Sequence, residues 1–271
     1  MSATALAFAL AAAAVHALWN LLLARAPDVE AATAVALVTA ELVFLPVAVV
    51  VWRADSGAWP WVVASGLLEL AYFALLATAY RLAPLSVVYP IARGGAPVLV
   101  LAISALALGH GASAAQVGGV CLIVLGIVLV RGLRHPNGRG LAFGAAIACC
   151  IAGYTLVDKS GIEHAGPIPY LVLAMTIPTV AYTAAVLRMK GTAAVRAAIT
   201  PGAVVAGIAT FVAYAFVLAA LQRASAASVA AVRETSVVIA AALAVVVLKE
   251  RVGVPRLAGA VLVVCGIALL R

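Results

Sequence analysis

"APVLVLAISALALGHGASAAQVGGVCLIVLGIVLV" (Ala96–Val130) and "SVVIAAALAVVVLKERVGVPRLAGAVLVVCGIALL" (Ser236–Leu270) are two copies of one pattern. A shift of 140 positions lays Gly119, Leu122, Val124, Gly126, Ile127 and Leu129 on Gly259, Leu262, Val264, Gly266, Ile267 and Leu269, and it also lays Arg93 on Arg233. Upstream, a shift of 142 matches Tyr72 with Tyr214 and Arg81 with Arg223, which implies a small insertion between the third and fourth apolar runs of the second copy. The chain therefore reads as two halves, residues 1–131 and 140–271.

Outward from the repeat, 67% of residues are hydrophobic and 10% charged, and the mean hydropathy is +1.23. A soluble domain holds about 45–50% apolar residues, so the composition indicates an all-α polytopic membrane protein. A helical span needs about 20 mostly apolar residues. Ten runs qualify, near 4–23, 31–52, 60–80, 84–108, 113–130, 140–157, 167–187, 201–222, 225–248 and 255–270. Five spans per half is an odd number, so the second half enters the membrane with opposite polarity and the halves form an inverted pair, an arrangement suited to alternating access. Short connections leave no length for an extramembrane enzyme or binding module.

The net charge of +8 would suggest nucleic acid in a soluble protein, but the basic residues are spread over the loops, and no nucleic-acid partner is expected. Arg25, Arg81, Arg131, Arg134, Arg139, Arg188, Lys190, Arg196, Lys249, Arg251 and Arg256 fall on one side; Arg53, Lys159, Arg223 and Arg271 fall on the other. The positive-inside rule places the richer side in the cytoplasm and both termini outside, with the cytoplasmic (inner) membrane as the location. The first run has no basic n-region and carries His16, Trp19 and Asn20 in its second half, so it reads as a retained span. Cys121, Cys149, Cys150 and Cys265 lie in apolar runs without metal-ligand spacing and are expected to be small buried residues.

On these residues the chain resembles the EamA family of the drug/metabolite transporter superfamily. Pro97 matches the proline that opens the fourth helix of an EamA repeat. Leu248, Lys249, Glu250 and Arg251 match its turn, and Gly119, Gly126, Gly259 and Gly266 match its last helix. Gly109, His110 and Gly111 stand where the first turn should hold Glu and Arg, and Val237 replaces the second proline. The resemblance implies export or uptake of a metabolite, and it implies no cofactor.

Arg93 and Arg233 are the candidate binding residues. An arginine near the bilayer centre costs between about 3 and more than about 10 kcal/mol, so a matched pair points to a central polar pathway. Around Arg93, "VVYPIARGGAP" sets Pro90, Gly94, Gly95 and Pro97, which should break the helix and aim Arg93 at an anionic solute. Arg233 is then the one expected in a structural pair. Arg233 and Glu234 are consecutive and diverge by about 100° on a helix, so each is expected to find a partner elsewhere, with Glu69 and Glu41 as candidates. With two arginines and three carboxylates at membrane depth, one of Glu69, Glu41 and Glu234 can carry a coupling proton.

Tyr72, Tyr89 and Tyr214 would shape the cavity, with Trp19 and Asn20 on its edge. Tyr154 and Asp158 share a face of the sixth run, as pathway residues or as end groups, and "GLAFG" (Gly140–Gly144) offers a close-packing pattern. The expected function is secondary transport of a small, polar, anionic organic metabolite by alternating access, for which a monomer in the lipid bilayer suffices. The alternatives are a flippase for a lipid-linked substrate, in which the arginines would engage a lipid phosphate, and a non-transporting membrane subunit. No motif for ATP hydrolysis or for a nucleophile and base is present, so an enzyme is not expected.

Overall fold

A computed structural model of the chain describes residues 1–83, 85–106, 109, 111–131, 138–239, 242 and 254–270. The helices are α1 (Ala3–Ala24), α2 (Val29–Val50), α3 (Ala58–Leu82), α4 (Leu85–Leu106), α5 (Ala114–Arg131), α6 (Gly138–His164), α7 (Pro167–Ala197), α8 (Pro201–Leu221), α9 (Ala226–Arg233) and α10 (Val254–Leu270). They fall on the predicted runs, of which the ninth (225–248) is described only in part, its residues 240–241 and 243–248 lying outside the described ones. No strand occurs among the described residues. The Lys249–Arg251 turn lies outside them.

Local chemistry sets the helix starts. Ser2, Asp28, Thr200 and Ser225 each accept a backbone N–H three residues on, and Pro167 and Pro201 open their helices, where a missing N–H costs nothing. Six helices (α1, α2, α3, α6, α7 and α8) are long and apolar enough to cross a membrane by length and composition. Gly191, at φ 79°, kinks α7 and separates its long apolar part from a short tail.

The packing inverts the soluble pattern. The buried stripe of α1 is Ala5, Ala9, Ala12, Ala13 and Ala17, whereas Leu42, Leu45, Val49 and Val50 of α2 face outward. Lipid is as apolar as leucine, so small residues inside, which let backbones approach, hold such a bundle together. The repeat-matched glycines show this at the contact of α5 with α10. A Cβ on Gly126 would lie 2.5 Å from the Gly259 carbonyl oxygen, and one on Gly266 would lie 2.7 Å from that of Gly119. Gly144 of the GLAFG stretch packs in the same way on Val88 and Ile91, bringing α6 onto α4. The halves are therefore interleaved, with α1 on α8, α2 on α7 and α8, and α3 on α6 and α7.

Three expectations need correction. First, α4 runs unbroken through Pro90, Gly94, Gly95 and Pro97; inside a bundle the packing of neighbouring helices compensates for the donor a proline removes. The irregularity lies instead after Arg233, where the N–H groups of Glu234 and Thr235 turn to the carbonyls of Ala231 and Val232, a local 3₁₀ tightening. Second, Cys121, Cys149 and Cys265 are exposed on the helix surfaces and only Cys150 is buried. Third, α6 continues to His164, so Lys159 lies within a helix, its Nζ donating to the carbonyl of Leu221 at 2.5 Å.

Candidate functional site

The repeat-matched pairs converge. Arg93 with Arg233 and Tyr72 with Tyr214 line one cavity, together with Trp19 and Tyr154. Its wall is built by α1 (His16, Trp19), α3 (Glu69, Tyr72, Phe73), α4 (Arg93), α6 (Tyr154), α7 (Met175), α8 (Thr210, Tyr214) and α9 (Arg233). An apolar and aromatic lining with a few charged groups is the usual make-up of a small-molecule site. The rings contact one another edge-on or tilted: Tyr72 and Tyr154 have centroids 6.3 Å apart, and Tyr154 and Tyr214 6.2 Å.

Both arginines are buried, and a single carboxylate stands between them. Glu234, wholly buried, accepts from Arg93 Nη1 at 3.2 Å and 3.4 Å on its two oxygens. Arg233 Nη2 reaches its Oε1 only at 3.5 Å. Arg93 Nη2 also meets Nε2 of His16. A guanidinium can only donate, so His16 Nε2 is the acceptor, and the imidazole is neutral with its proton on Nδ1. Arg233 lies 5.8 Å from the ring centroid of Tyr154, and its Nε is buried with no hydrogen-bond partner among the described residues.

The pairing thus runs opposite to expectation. Arg93 is the arginine held in a structural network, and Arg233 presents an open edge beside the cavity. Glu69 and Glu41, the expected partners, form no salt bridge with either arginine. The helical-wheel argument that sent Arg233 and Glu234 to separate partners holds for Arg93–Glu234, while the 3₁₀ tightening still leaves Arg233 at the edge of contact with the same carboxylate.

Of the other expected residues, Glu69 lies on the wall and Glu41 does not. Asn20 is not on it either; its Nδ2 donates to the His16 carbonyl at 2.8 Å. The side chain of Tyr89 lies outside those described. Among residues the sequence reading did not place in the site, His16, Phe73, Thr210 and Met175 line the cavity. His16 shares a helical face with Trp19, which was the available signal.

At one end of the bundle, Gly166 N–H donates to the Arg53 carbonyl at 2.6 Å and Asp55 N–H to that of His164 at 3.0 Å. Gln116 joins Ser225 at 2.7 Å, and the N-terminal amine reaches the Leu270 carbonyl at 3.1 Å. A separate cluster ties Lys190 to Asp28 and Glu30, each at 2.7 Å.

The model of the EamA-like transporter family matches residues 3–132 and again residues 138–271. Comparison with curated proteins finds no match. Solved structures do resemble the chain. One, described as "Crystal structure of protein", superposes with a TM-score of 0.76 over 98% of this chain and 94% of that one, at 17% identity, a likeness that speaks for the fold alone.

Proposed function

The chain belongs to the EamA-like transporter family, and on that premise we propose that this multi-pass membrane protein is a secondary transporter of a small organic anion. It works by alternating access between two inverted five-helix halves, residues 1–131 and 140–271, in the cytoplasmic membrane with both termini outside. The cross-loop contacts support ten crossings. Residues 1 with 270, 53–55 with 164–166, and 116 with 225 are ends that ten alternating passes bring to one side, and 28 and 30 with 190 are ends brought to the other. The distribution of Lys and Arg supports the orientation.

The observation that carries the substrate class is the Arg233 guanidinium, buried beside the cavity with Nε unpartnered among the described residues and the Glu234 carboxylate at 3.5 Å. A buried donor left unmade costs about 1–3 kcal/mol, which a carboxylate or phosphoryl oxygen of the solute would recover. Tyr72, Tyr154 and Tyr214 then contact the rest of the solute. Glu69, on the same wall and outside the arginine pair, is the carboxylate placed to exchange a coupling proton, in preference to Glu41 or Glu234. Purified protein should be stabilised against heat by acids such as benzoate, succinate or phenylphosphonate and not by benzamide or succinamide. Equal effects of acids and amides would overturn the anion reading, and stabilisation by lipid-linked sugars alone would favour a flippase.

A further inference from the structure

Behind the cavity wall lies a buried carboxylate that the proposed binding step does not use. Asp158 on α6 is 1% exposed. Its Oδ1 accepts from the hydroxyls of Ser65 on α3 at 2.6 Å and Tyr170 on α7 at 3.0 Å, and its Oδ2 accepts from Tyr214 on α8 at 2.5 Å. An ionised carboxylate only accepts and has about four lone-pair sites, so it serves all three hydroxyls at once. The three donors differ in what else they do. Tyr170 also reaches the Trp61 carbonyl at 3.3 Å, and neither Ser65 nor Tyr170 lines the cavity, whereas Tyr214 does.

The bond to Oδ2 ties the hydroxyl of the cavity-lining Tyr214, which also interacts with Glu69, to an acceptor that is not itself part of the lining. Four residues after Trp19, where Asp158 stands four after Tyr154, the first span has Leu23, whose side chain has no hydrogen-bonding atom. Tyr214 is thus tied to a carboxylate on α6 that also joins α3 and α7.

Resting on the transport reading above, we propose that Asp158 is a positioning residue for solute binding, acting through Tyr214: it fixes the hydroxyl of that tyrosine in the wall and so sets the affinity of the cavity. Counterflow of radiolabelled benzoate, succinate and phenylphosphonate in proteoliposomes tests this. Tyr214→Phe, which removes one oxygen, and Asp158→Leu, which removes the acceptor, should each change the half-saturation constant of the transported acid by about two- to tenfold, the worth of one hydrogen bond. The maximal rate should change less. Because both act on one bond, the double variant should show no more than the larger single effect. Tyr170→Phe and Ser65→Ala, which loosen the same carboxylate without touching the wall, should leave the half-saturation constant unchanged.

Equal shifts in all four single variants, or additive effects in the double variant, would make Asp158 a structural joint only and overturn the proposal. Should Asp158→Leu fail to fold, an unchanged half-saturation constant in Tyr214→Phe overturns it alone. A wild-type protein that moves none of these acids overturns the transport reading and this inference with it, whereas wild-type flux unaffected by Tyr214→Phe overturns this inference only.

Discussion

Glu234 binds Arg93 across the two halves, its carboxylate 3.2 Å from the Arg93 guanidinium and 3.5 Å from that of Arg233. Under the shift that superposes the arginines, Glu234 falls on Gly94. Among the described residues both cations thus form their salt bridges with one carboxylate from one half, the shorter one with Arg93. Both charges line one cavity, and this departure from the repeat gives Arg93 the shorter bond to the carboxylate.

Removing that carboxylate should be costly. Glu234→Gln keeps the shape but removes the charge to which the buried Arg93 guanidinium donates, and breaking a buried pair in this way costs about 3–5 kcal/mol. The melting temperature in detergent should fall clearly. Replacing both partners, as in Arg93→Met with Glu234→Leu, should restore part of the loss. An unchanged melting temperature in Glu234→Gln would mean the carboxylate is not tied to Arg93.

The seam between α5 and α10 should be intolerant of side chains at two glycines and tolerant at a third. Gly126→Ala and Gly266→Ala set a Cβ within 2.7 Å of a facing backbone oxygen, so the helices must separate, a change that typically costs about 1–3 kcal/mol. At Gly118 the nearest atom to a Cβ is Leu269 Cδ1 at 3.5 Å, ordinary contact. Gly118→Ala is therefore expected to melt with the wild type, and comparison of the three melting temperatures checks the seam.

A modest pH dependence is expected outside the membrane core. The hydrogen bond from Lys190, helped by the Ala31 N–H, holds the Asp28 carboxyl below its ordinary range. A depressed folded-state value means the contribution is present above the unfolded value and is lost as pH falls through the folded one. Asp28 is 36% exposed, so the pair is worth less than about 1 kcal/mol. Lys190→Met should lower the melting temperature slightly near neutral pH and by less in strong acid. A difference from wild type that grows on acidification would contradict it.

Much of the bundle was legible in the residues because membrane helices declare themselves by length and apolarity. The matched pairs Arg93/Arg233 and Tyr72/Tyr214 also located the cavity, since a repeat that folds on itself brings equivalent positions together. The helix break was misplaced. Proline removes a donor and glycine lowers helix propensity, but α4 is packed against α5, α6 and α9, and the irregularity came at Glu234–Thr235, where no breaker residue stands. It coincides with the residue tied to Arg93, a tertiary link that propensity does not encode. Asp158 shows the same limit. Its spacing from Tyr154 announced a shared face, but its partners Ser65, Tyr170 and Tyr214 come from three other helices.

The most direct test is flux. Wild-type protein and the Arg233→Gln variant, each reconstituted into liposomes preloaded with benzoate, succinate or phenylphosphonate, are compared for uptake of the same labelled acid. Wild-type protein should exchange at least one of these acids, and Arg233→Gln should lose at least about tenfold of that exchange, the worth of one charge-assisted hydrogen bond, while melting close to the wild type. Undiminished exchange by a folded Arg233→Gln protein would contradict the assignment of Arg233 as the anion-binding residue.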